Sequence, residues 1–348
     1  MGLFARLTFS ILLGALGGAI FYYFELPLAW MLGSMFFTTI AALLGAPIAL
    51  HMPFRLSMTA VLGTLLGSAF TPQILHELQN WGAGALTVAL FVAFMTAISV
   101  LFFVRVGGMS RATAFFSGTP GGLGEMTLVG EQNGGDPRTI ALIHAIRIFV
   151  VVFFLPLILT AVTDLNIPNT ARVLSGRPIA EGGELVILTL CAIIGYILGQ
   201  KIPLPGSQIF VPMLVSAFAY LAGLVEGRPP TEVISAAQVV IGSAIGARFV
   251  GVNLRTTGRP IFLGTCSALG MLGLAAAFAY IVSPLLGLPM YALLLAISPG
   301  GLAEMSLVAL ALDVDTAFVA TMHLVRIVLI VTFAPAFFRA LGWVFTSK

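Results

Sequence analysis

An internal repeat at an offset of 179 residues restricts the fold of this chain more than any other feature. Residues 117–156 and 296–335 align without a gap, and each copy contains Pro-Gly-Gly, a nearby glutamate and a His-x-x-Arg sequence. A weaker match extends the alignment towards the N-terminus. We therefore predict two related membrane repeats, residues 7–165 and 184–342, joined by a polar linker at 166–183.

The scarcity of charged residues favours a lipid environment for both repeats. Only 8% of the residues are charged and 59% are hydrophobic, whereas about 25% of the residues in a soluble domain are charged. A bilayer accepts helices that are apolar on all sides, because lipid and not water surrounds them. Cys191 and Cys266 provide neither a disulfide framework nor a metal-binding pattern, and there is no basic segment for nucleic-acid binding. We therefore expect an all-α polytopic membrane protein without a cofactor, a metal or a nucleic-acid partner.

Each repeat contains six apolar segments. Their expected bounds are 7–24, 28–50, 56–75, 82–104, 112–131 and 138–162 in the first repeat, and 184–200, 207–225, 233–250, 260–283, 289–311 and 316–341 in the second. The first segment resembles a signal peptide. We expect it to be retained, because the second repeat contains a counterpart.

The fifth segment of each repeat is interrupted near its centre. The interrupting residues are Thr119, Pro120, Gly121 and Gly122 in the first copy and Ser298, Pro299, Gly300 and Gly301 in the second. Proline removes a backbone donor and glycine loosens a helix. Irregular backbone at membrane depth is tolerated only where protein or a wet cavity surrounds it. The segment therefore either crosses as a broken helix or enters and returns as a hairpin.

The distribution of Lys and Arg favours the returning hairpin. If the fifth segment does not cross and the N-terminus is cytoplasmic, eleven basic residues lie inside and three outside, against nine and five if every segment crosses. We therefore expect about ten crossings, five per repeat, with both termini on the cytoplasmic side of a bacterial inner membrane. An odd number of crossings inverts the second repeat, as in secondary transporters. In a rival arrangement the third segment fails to cross, which also inverts the repeat but places Arg248, Arg255 and Arg259 outside.

Two glutamates, Glu125 and Glu304, follow the paired glycines on the first turn of the second half-helix. The N-terminus of a helix has unpaired N–H groups and a partial positive charge, so it attracts anions. Each glutamate either caps its helix or holds a proton or cation beside a bound solute. Asp136 and Asp315, which precede the sixth segments, are expected to be N-caps.

Two His-Arg pairs lie on the sixth segments. His144 and Arg147, like His323 and Arg326, are spaced i, i+3 and so share a helix face. An arginine inside a span costs about 2.5–3.5 kcal/mol on insertion scales and normally has a partner. The expected partners are the glutamates, Glu125 for Arg147 and the equivalent residue in the second copy. The alternative to a functional site is a Glu–Arg clamp that only fixes helix packing.

The duplicated motifs resemble the bacterial AbrB membrane family. The residues that carry the resemblance are Pro120, Gly121, Gly122, Glu125, His144 and Arg147, with Pro299, Gly300, Gly301, Glu304, His323 and Arg326. Members of this family are often labelled ammonia monooxygenases or AbrB-family transcriptional regulators, which implies an enzyme or a gene regulator. The sequence supplies neither a metal-ligand cluster nor a DNA-reading module.

We therefore expect a secondary transporter of a small, anionic solute coupled to H+ or Na+, with no catalytic residue. The expected binding residues are the eight interrupting residues, the two glutamates and the two His-Arg pairs. A membrane-embedded regulator of gene expression is the alternative, followed by a membrane monooxygenase. The lipid bilayer and the solute are the expected partners, and a homodimer is an option that the sequence leaves open.

Overall fold

A computed structural model describes residues 2–72, 74–162 and 178–345 of the chain. These ranges contain fourteen α-helices and no β-strand. The helices are α1 Leu3–Tyr23, α2 Ala29–Leu43, α3 Met52–Gly67, α4 Ile74–Arg105, α5 Arg111–Gly118, α6 Leu123–Gln132, α7 Pro137–Val162, α8 Gly183–Lys201, α9 Ser207–Leu221, α10 Thr231–Ala247, α11 Leu254–Leu286, α12 Met290–Ile297, α13 Leu302–Ala311 and α14 Thr316–Phe345. Most of the predicted linker, 166–177, lies outside the described residues.

Six of these helices are long and apolar enough to cross a membrane: α1, α4, α7, α8, α11 and α14. A helix of about 20 residues spans the hydrocarbon core of a bilayer. The helices α2, α3, α9 and α10 contain only 15 to 17 residues. Every predicted apolar segment thus contains a helix, but the second and third segments of each repeat contain shorter helices than predicted.

Glycines in the left-handed backbone conformation end α2 and α9. Gly45 has a φ of 82° and Gly223 a φ of 69°. The N–H groups of Ala46 and Leu224 donate back to carbonyls of the last helical turn, at 2.9 and 3.0 Å. This is the Schellman pattern, in which a glycine adopts a positive φ without strain. It explains why the helices stop before the predicted segments 28–50 and 207–225 end.

The chain divides into two compact units, each with helices from both predicted repeats. Unit 1 contains Met1–Gln79, Val152–Leu254 and Gly301–Ala320, and unit 2 contains Asn80–Val151, Arg255–Gly300 and Thr321–Lys348. Unit 1 therefore combines α1 to α3 with α8 to α10. Unit 2 contains α4, α5, α6, α11 and α12, together with most of α7 and α14.

In unit 1, the main contacts between helices of the first predicted repeat and helices of the second have counterparts in which the two repeats change places. Helix α2 packs against α10 and α3 against α9, while α1 packs against α2 and α8 against α9. Glycines allow the close approach. A Cβ added to Gly63 would meet the carbonyl of Ile209, and one added to Gly242 would meet the carbonyl of Met31. Gly63 aligns with Gly242 at an offset of 179, and Met31 aligns with Ile209 at 178, so the two contacts correspond. Small residues at helix crossings are typical of membrane bundles.

In unit 2, α5 and α6 form a hairpin whose two ends meet. The backbone N–H of Asp136, just before α7, donates to the hydroxyl of Thr113 on the first turn of α5, at 2.9 Å. Gly130 on α6 packs on Phe116 of α5. The interrupted segment therefore returns to the end of the unit at which it began. Its apolar side packs against α7 and α14 in a cluster with Ile140 and Ile330.

The glycine contacts of unit 1 give a direct test of its packing. We expect Gly63→Ala and Gly242→Ala each to destabilise the protein by about 1–3 kcal/mol, because the added methyl group must displace the backbone of a neighbouring helix. The melting temperature of detergent-purified protein measures the loss. Gly273→Ala is the matched control, since a Cβ there has no neighbour within 4 Å. Equal melting temperatures for all three variants would contradict this packing.

Candidate solute-binding site

Each Pro-Gly-Gly break ends one helix and precedes the start of the next. Helix α5 ends at Gly118 and α6 begins at Leu123, and between them Thr119 and Gly122 have extended backbone. The second copy repeats this geometry, with extended backbone at Ser298 and Gly301. The last carbonyls of the first half-helix and the first N–H groups of the second then lack intrahelical partners. Such groups need other partners when they are buried.

Arg147 on α7 bonds the carbonyls at the first break. Its Nη1 donates to the carbonyl oxygen of Thr119 at 3.2 Å, and its Nη2 donates to that of Gly121 at 3.1 Å. The side chain is buried, with 3% of its surface exposed. The C-terminal end of a helix carries a partial negative charge. The guanidinium charge is therefore stabilised by the carbonyl end of α5.

His144 completes this arrangement one turn earlier on α7. Its Nε2 lies 2.8 Å from the carbonyl oxygen of Phe116, and its Nδ1 lies 2.9 Å from Nη2 of Arg147. A carbonyl only accepts and a guanidinium only donates. His144 is therefore neutral, with its proton on Nε2. The imidazole orients the arginine while bonding the last turn of α5.

The second copy repeats the bonds to backbone carbonyls at the same spacing. Nε2 of His323 lies 2.9 Å from the carbonyl oxygen of Leu295. Arg326 donates to the carbonyl oxygens of Ser298 and Gly300, the latter at 2.6 Å. Nδ1 of His323 has no hydrogen-bond partner among the described residues, in contrast to Nδ1 of His144. The two arrangements are thus equivalent at the carbonyls but differ at the imidazole.

The expected pairing of Arg147 with Glu125 is wrong. Among the described residues, Arg147 donates to the two carbonyls and to His144. The break supplies acceptors that an intact helix would not, so the arginine needs no carboxylate. The sequence did contain a signal for this arrangement, since His-x-x-Arg follows the break at the same distance in both copies. The sequence analysis instead paired Arg147 with Glu125, because the two residues carry opposite charges.

Both glutamates fold back over the glycine that begins their helix. Oε2 of Glu125 and of Glu304 lies where a Cβ on Gly122 or Gly301 would be. A glutamate at the third helical position that reaches back to the N-cap stabilises the helix start. Only glycine leaves room for this approach. The position of both carboxylates fits helix capping, one of the two roles that the sequence left open.

The surroundings of the two glutamates differ. Glu304 is buried, with 8% of its surface exposed, whereas Glu125 is half-buried. In unit 1, the charge of Glu304 interacts with that of Arg248, which also interacts with Arg55. At the offset of 179, Ala69 occupies the position of Arg248 in the first copy. The position that aligns with Arg248 is therefore uncharged in the first copy.

Asp136 and Asp315, the N-caps predicted before the sixth segments, each bond an N–H group at the start of a helix. Oδ1 of Asp136 accepts from the N–H of Arg138 at 3.1 Å, and Oδ1 of Asp315 accepts from the N–H of Phe318 at 2.8 Å. These bonds satisfy N–H groups in the first turns of α7 and α14. The prediction that both residues are N-caps is confirmed.

Arg147 and Arg326 together form a positively charged centre in unit 2. The two guanidinium groups are close enough for their charges to repel each other. In each of them the Nε atom is buried without an acceptor among the described residues. Like charges buried together are unfavourable, and an unsatisfied buried donor adds to the cost. An anion bound near both groups would reduce the repulsion and accept their remaining N–H bonds.

Comparison with known proteins assigns this chain to a family. The family described as "Transition state regulatory protein AbrB" matches residues 30–342. The chain belongs to the AbrB family. It is 24% identical over 354 residues to "Uncharacterized protein YhjN" of Bacillus subtilis (strain 168), a match that covers 95% of this chain and 92% of that protein. It is 26% identical over 321 residues to "Putative regulator AbrB" of Escherichia coli (strain K12), covering 90% of each.

The AbrB family match confirms the predicted resemblance and extends over both copies of the motif. The family description and the name of the Escherichia coli relative refer to a regulator and not to an enzyme. Among the residues with described placement, no group of three or more His, Cys, Asp or Glu side chains is arranged to hold a metal ion.

The carbonyl bonds of Arg147 predict how its removal affects the hairpin. We expect Arg147→Leu to increase hydrogen exchange of the backbone amides in α5 and α6, because two buried carbonyls lose their donors, at about 1–3 kcal/mol for each. Exchange measured by mass spectrometry on peptides that cover 111–132 tests this. Arg138→Leu is the control, since Arg138 is exposed. Unchanged exchange in Arg147→Leu would show that these bonds do not hold the hairpin.

Proposed function

We propose that this AbrB-family protein is a membrane-embedded secondary transporter of a small anion. The observation that carries the proposal is the pair of buried arginines in unit 2, Arg147 and Arg326, each of which bonds the carbonyls of a helix break. Their hydrogen bonds to backbone carbonyls fix their positions without neutralising both charges. Interrupted helices that meet at a binding site are typical of secondary transporters.

The long apolar helices support a location in the membrane, for which we propose five crossings per repeat. The hairpin of α5 and α6 supports an interrupted segment that enters and returns. The matched contacts of Gly63 and Gly242 support a duplicated origin for the helix pairs of unit 1. With five crossings, the second repeat would be inverted, and both termini would lie in the cytoplasm.

The distribution of charge between the units supports an anionic solute. Unit 2 contains three of the thirteen acidic residues, Glu125, Glu131 and Asp136, but nine of the sixteen Lys and Arg residues. An excess of positive charge raises the local concentration of anions. A small carboxylate is the solute class that fits best, because its oxygens can accept the N–H groups that remain without a partner among the described residues, the Nε–H of Arg147 and of Arg326.

The glutamate at the start of α6 offers a means of coupling to protons. The ionised carboxylate of Glu125 occupies the positive end of the helix, where a solute carboxylate would also bind. Protonation would weaken its hold on the helix and release this place for the solute. A sodium ion is less suitable there, because the helix N-terminus repels cations. We therefore propose proton coupling at Glu125.

Thermal stabilisation by named anions tests the binding site. We expect one of sodium acetate, lactate or succinate to raise the melting temperature of the purified protein relative to sodium chloride at equal ionic strength. Binding at ten times Kd stabilises by about 1.4 kcal/mol. Arg147→Gln and Arg326→Gln should abolish the shift, whereas Arg339→Gln, an exposed arginine outside the site, should retain it. A shift that survives both site variants, or no shift with any carboxylate, would refute the anion site.

Uptake into proteoliposomes tests the coupling. For the carboxylate that stabilises most, we expect wild-type uptake to increase as the external pH falls, because protonation of Glu125 opens the site. In Glu125→Gln, which resembles the protonated form, uptake should persist but lose its dependence on pH. If Glu125→Gln keeps the wild-type pH dependence, the proton binds elsewhere. If neither protein transports the carboxylate, the transporter proposal fails.

A further inference from the structure

A cavity of about 250 Å³ lies at one end of unit 2, where four helix ends meet. Its lining includes Ser110 and Thr113 from the start of α5, Asp136 from the start of α7, and Arg259 and Leu263 from α11. The loop that follows α4 closes another side, at Gly107. The cavity therefore sits at the base of the α5–α6 hairpin. Neither Arg147 nor Arg326 is among the residues that line it.

Exposed arginines are concentrated on these four helix ends. They are Arg105, Arg111, Arg138, Arg255 and Arg259. The guanidinium of Arg259 extends towards the loop after α4, where it would lie 3.6 Å from a Cβ on Gly108. The acidic residues on these described helix ends and the adjoining end of α6 are Glu131 and Asp136. The carboxylate of Asp136 is already bonded to the N–H of Arg138 and the hydroxyl of Thr139. This end of the unit is therefore strongly positive.

We propose that this cavity binds the phosphate group of an anionic phospholipid. Basic pockets at the ends of membrane helices bind acidic headgroups, because the arginines lie at the level of the lipid phosphates. The cavity has the size of a headgroup and not of an acyl chain. The excess of arginine over acid favours a lipid with net negative charge over a zwitterionic one. The inference requires that the chain lie in a bilayer, but not that it transport a solute.

The position of the cavity gives the lipid a structural role. The hydroxyl of Thr113, which lines it, accepts the bond from Asp136 that joins the start of α5 to the start of α7. Ser110 caps α5 through its bond with the N–H of Thr113. A phosphate bound to Arg259 would add a link between α11 and the base of the hairpin. Bound lipid should therefore reduce the opening of the hairpin at this end.

Native mass spectrometry of the full-length protein tests the proposal. The protein is purified in detergent and incubated with phosphatidylglycerol or with phosphatidylcholine. We expect phosphatidylglycerol to remain bound about fivefold more than phosphatidylcholine. Arg259→Gln should lose this preference, while Arg339→Gln, an exposed arginine of unit 2 outside the cavity, should keep it. If Arg259→Gln is not monodisperse, Arg259→Met, which keeps the apolar part of the side chain without its charge, takes its place.

Three outcomes would overturn the site. The first is an equal affinity of wild type and Arg259→Gln for phosphatidylglycerol. The second is an equal loss in Arg339→Gln, which would indicate a general effect of charge. The third is displacement of the lipid by an excess of inorganic phosphate, which would assign the cavity to a free anion. None of these measurements involves Arg147 or Arg326. A negative result would therefore refute the lipid site and leave the transporter proposal unaffected.

Discussion

The structure depends on how the buried backbone at the two Pro-Gly-Gly breaks is stabilised. A break leaves carbonyl and N–H groups without intrahelical partners, and such groups are costly away from water. Arg147 and Arg326 each donate to the two carbonyls of their break. His144 and His323 bond the carbonyl one turn earlier. Each break is thus tied to the next long helix in the sequence, and the irregular backbone becomes a fixed part of the structure.

This interaction makes the separate parts of the motif depend on one another. Proline and the first glycine interrupt the helix, and the His-Arg pair closes the interruption from about 26 to 28 residues further along the chain. The second glycine leaves room for the glutamate to reach the start of the next half-helix. What remains after these bonds is positive charge, because neutral carbonyls orient a guanidinium but do not cancel its charge. That residual charge is the physical basis on which we propose that the site binds an anion.

The sequence predicted the features that act on the local backbone and missed those that depend on a distant partner. Proline and glycine marked both breaks, and the i, i+3 spacing put each histidine and arginine on one face. The acceptors of Arg147 were missed because a carbonyl is present at every residue and leaves no trace in the sequence. The lengths of α2 and α9 were overestimated, although Gly45 and Gly223 carry the stop signal. The charge partner of Glu304, Arg248, could not be inferred because only folding brings the two together.

The two copies differ in the charge near their glutamates, because Arg248 lies near Glu304 and Ala69 occupies the aligned position in the first copy. This difference affects which glutamate would carry a proton in the proposed transporter. A proton on Glu304 would leave the positive charge of Arg248 without its nearby negative partner. A proton on Glu125 has no such consequence in the first copy, where Ala69 replaces that arginine. Protonation of Glu125 removes one negative charge from the helix N-terminus, and a bound solute anion restores it. In the proposed transport cycle this exchange keeps the net charge of the site constant, so the proton and the solute anion would move together without separating charge in lipid.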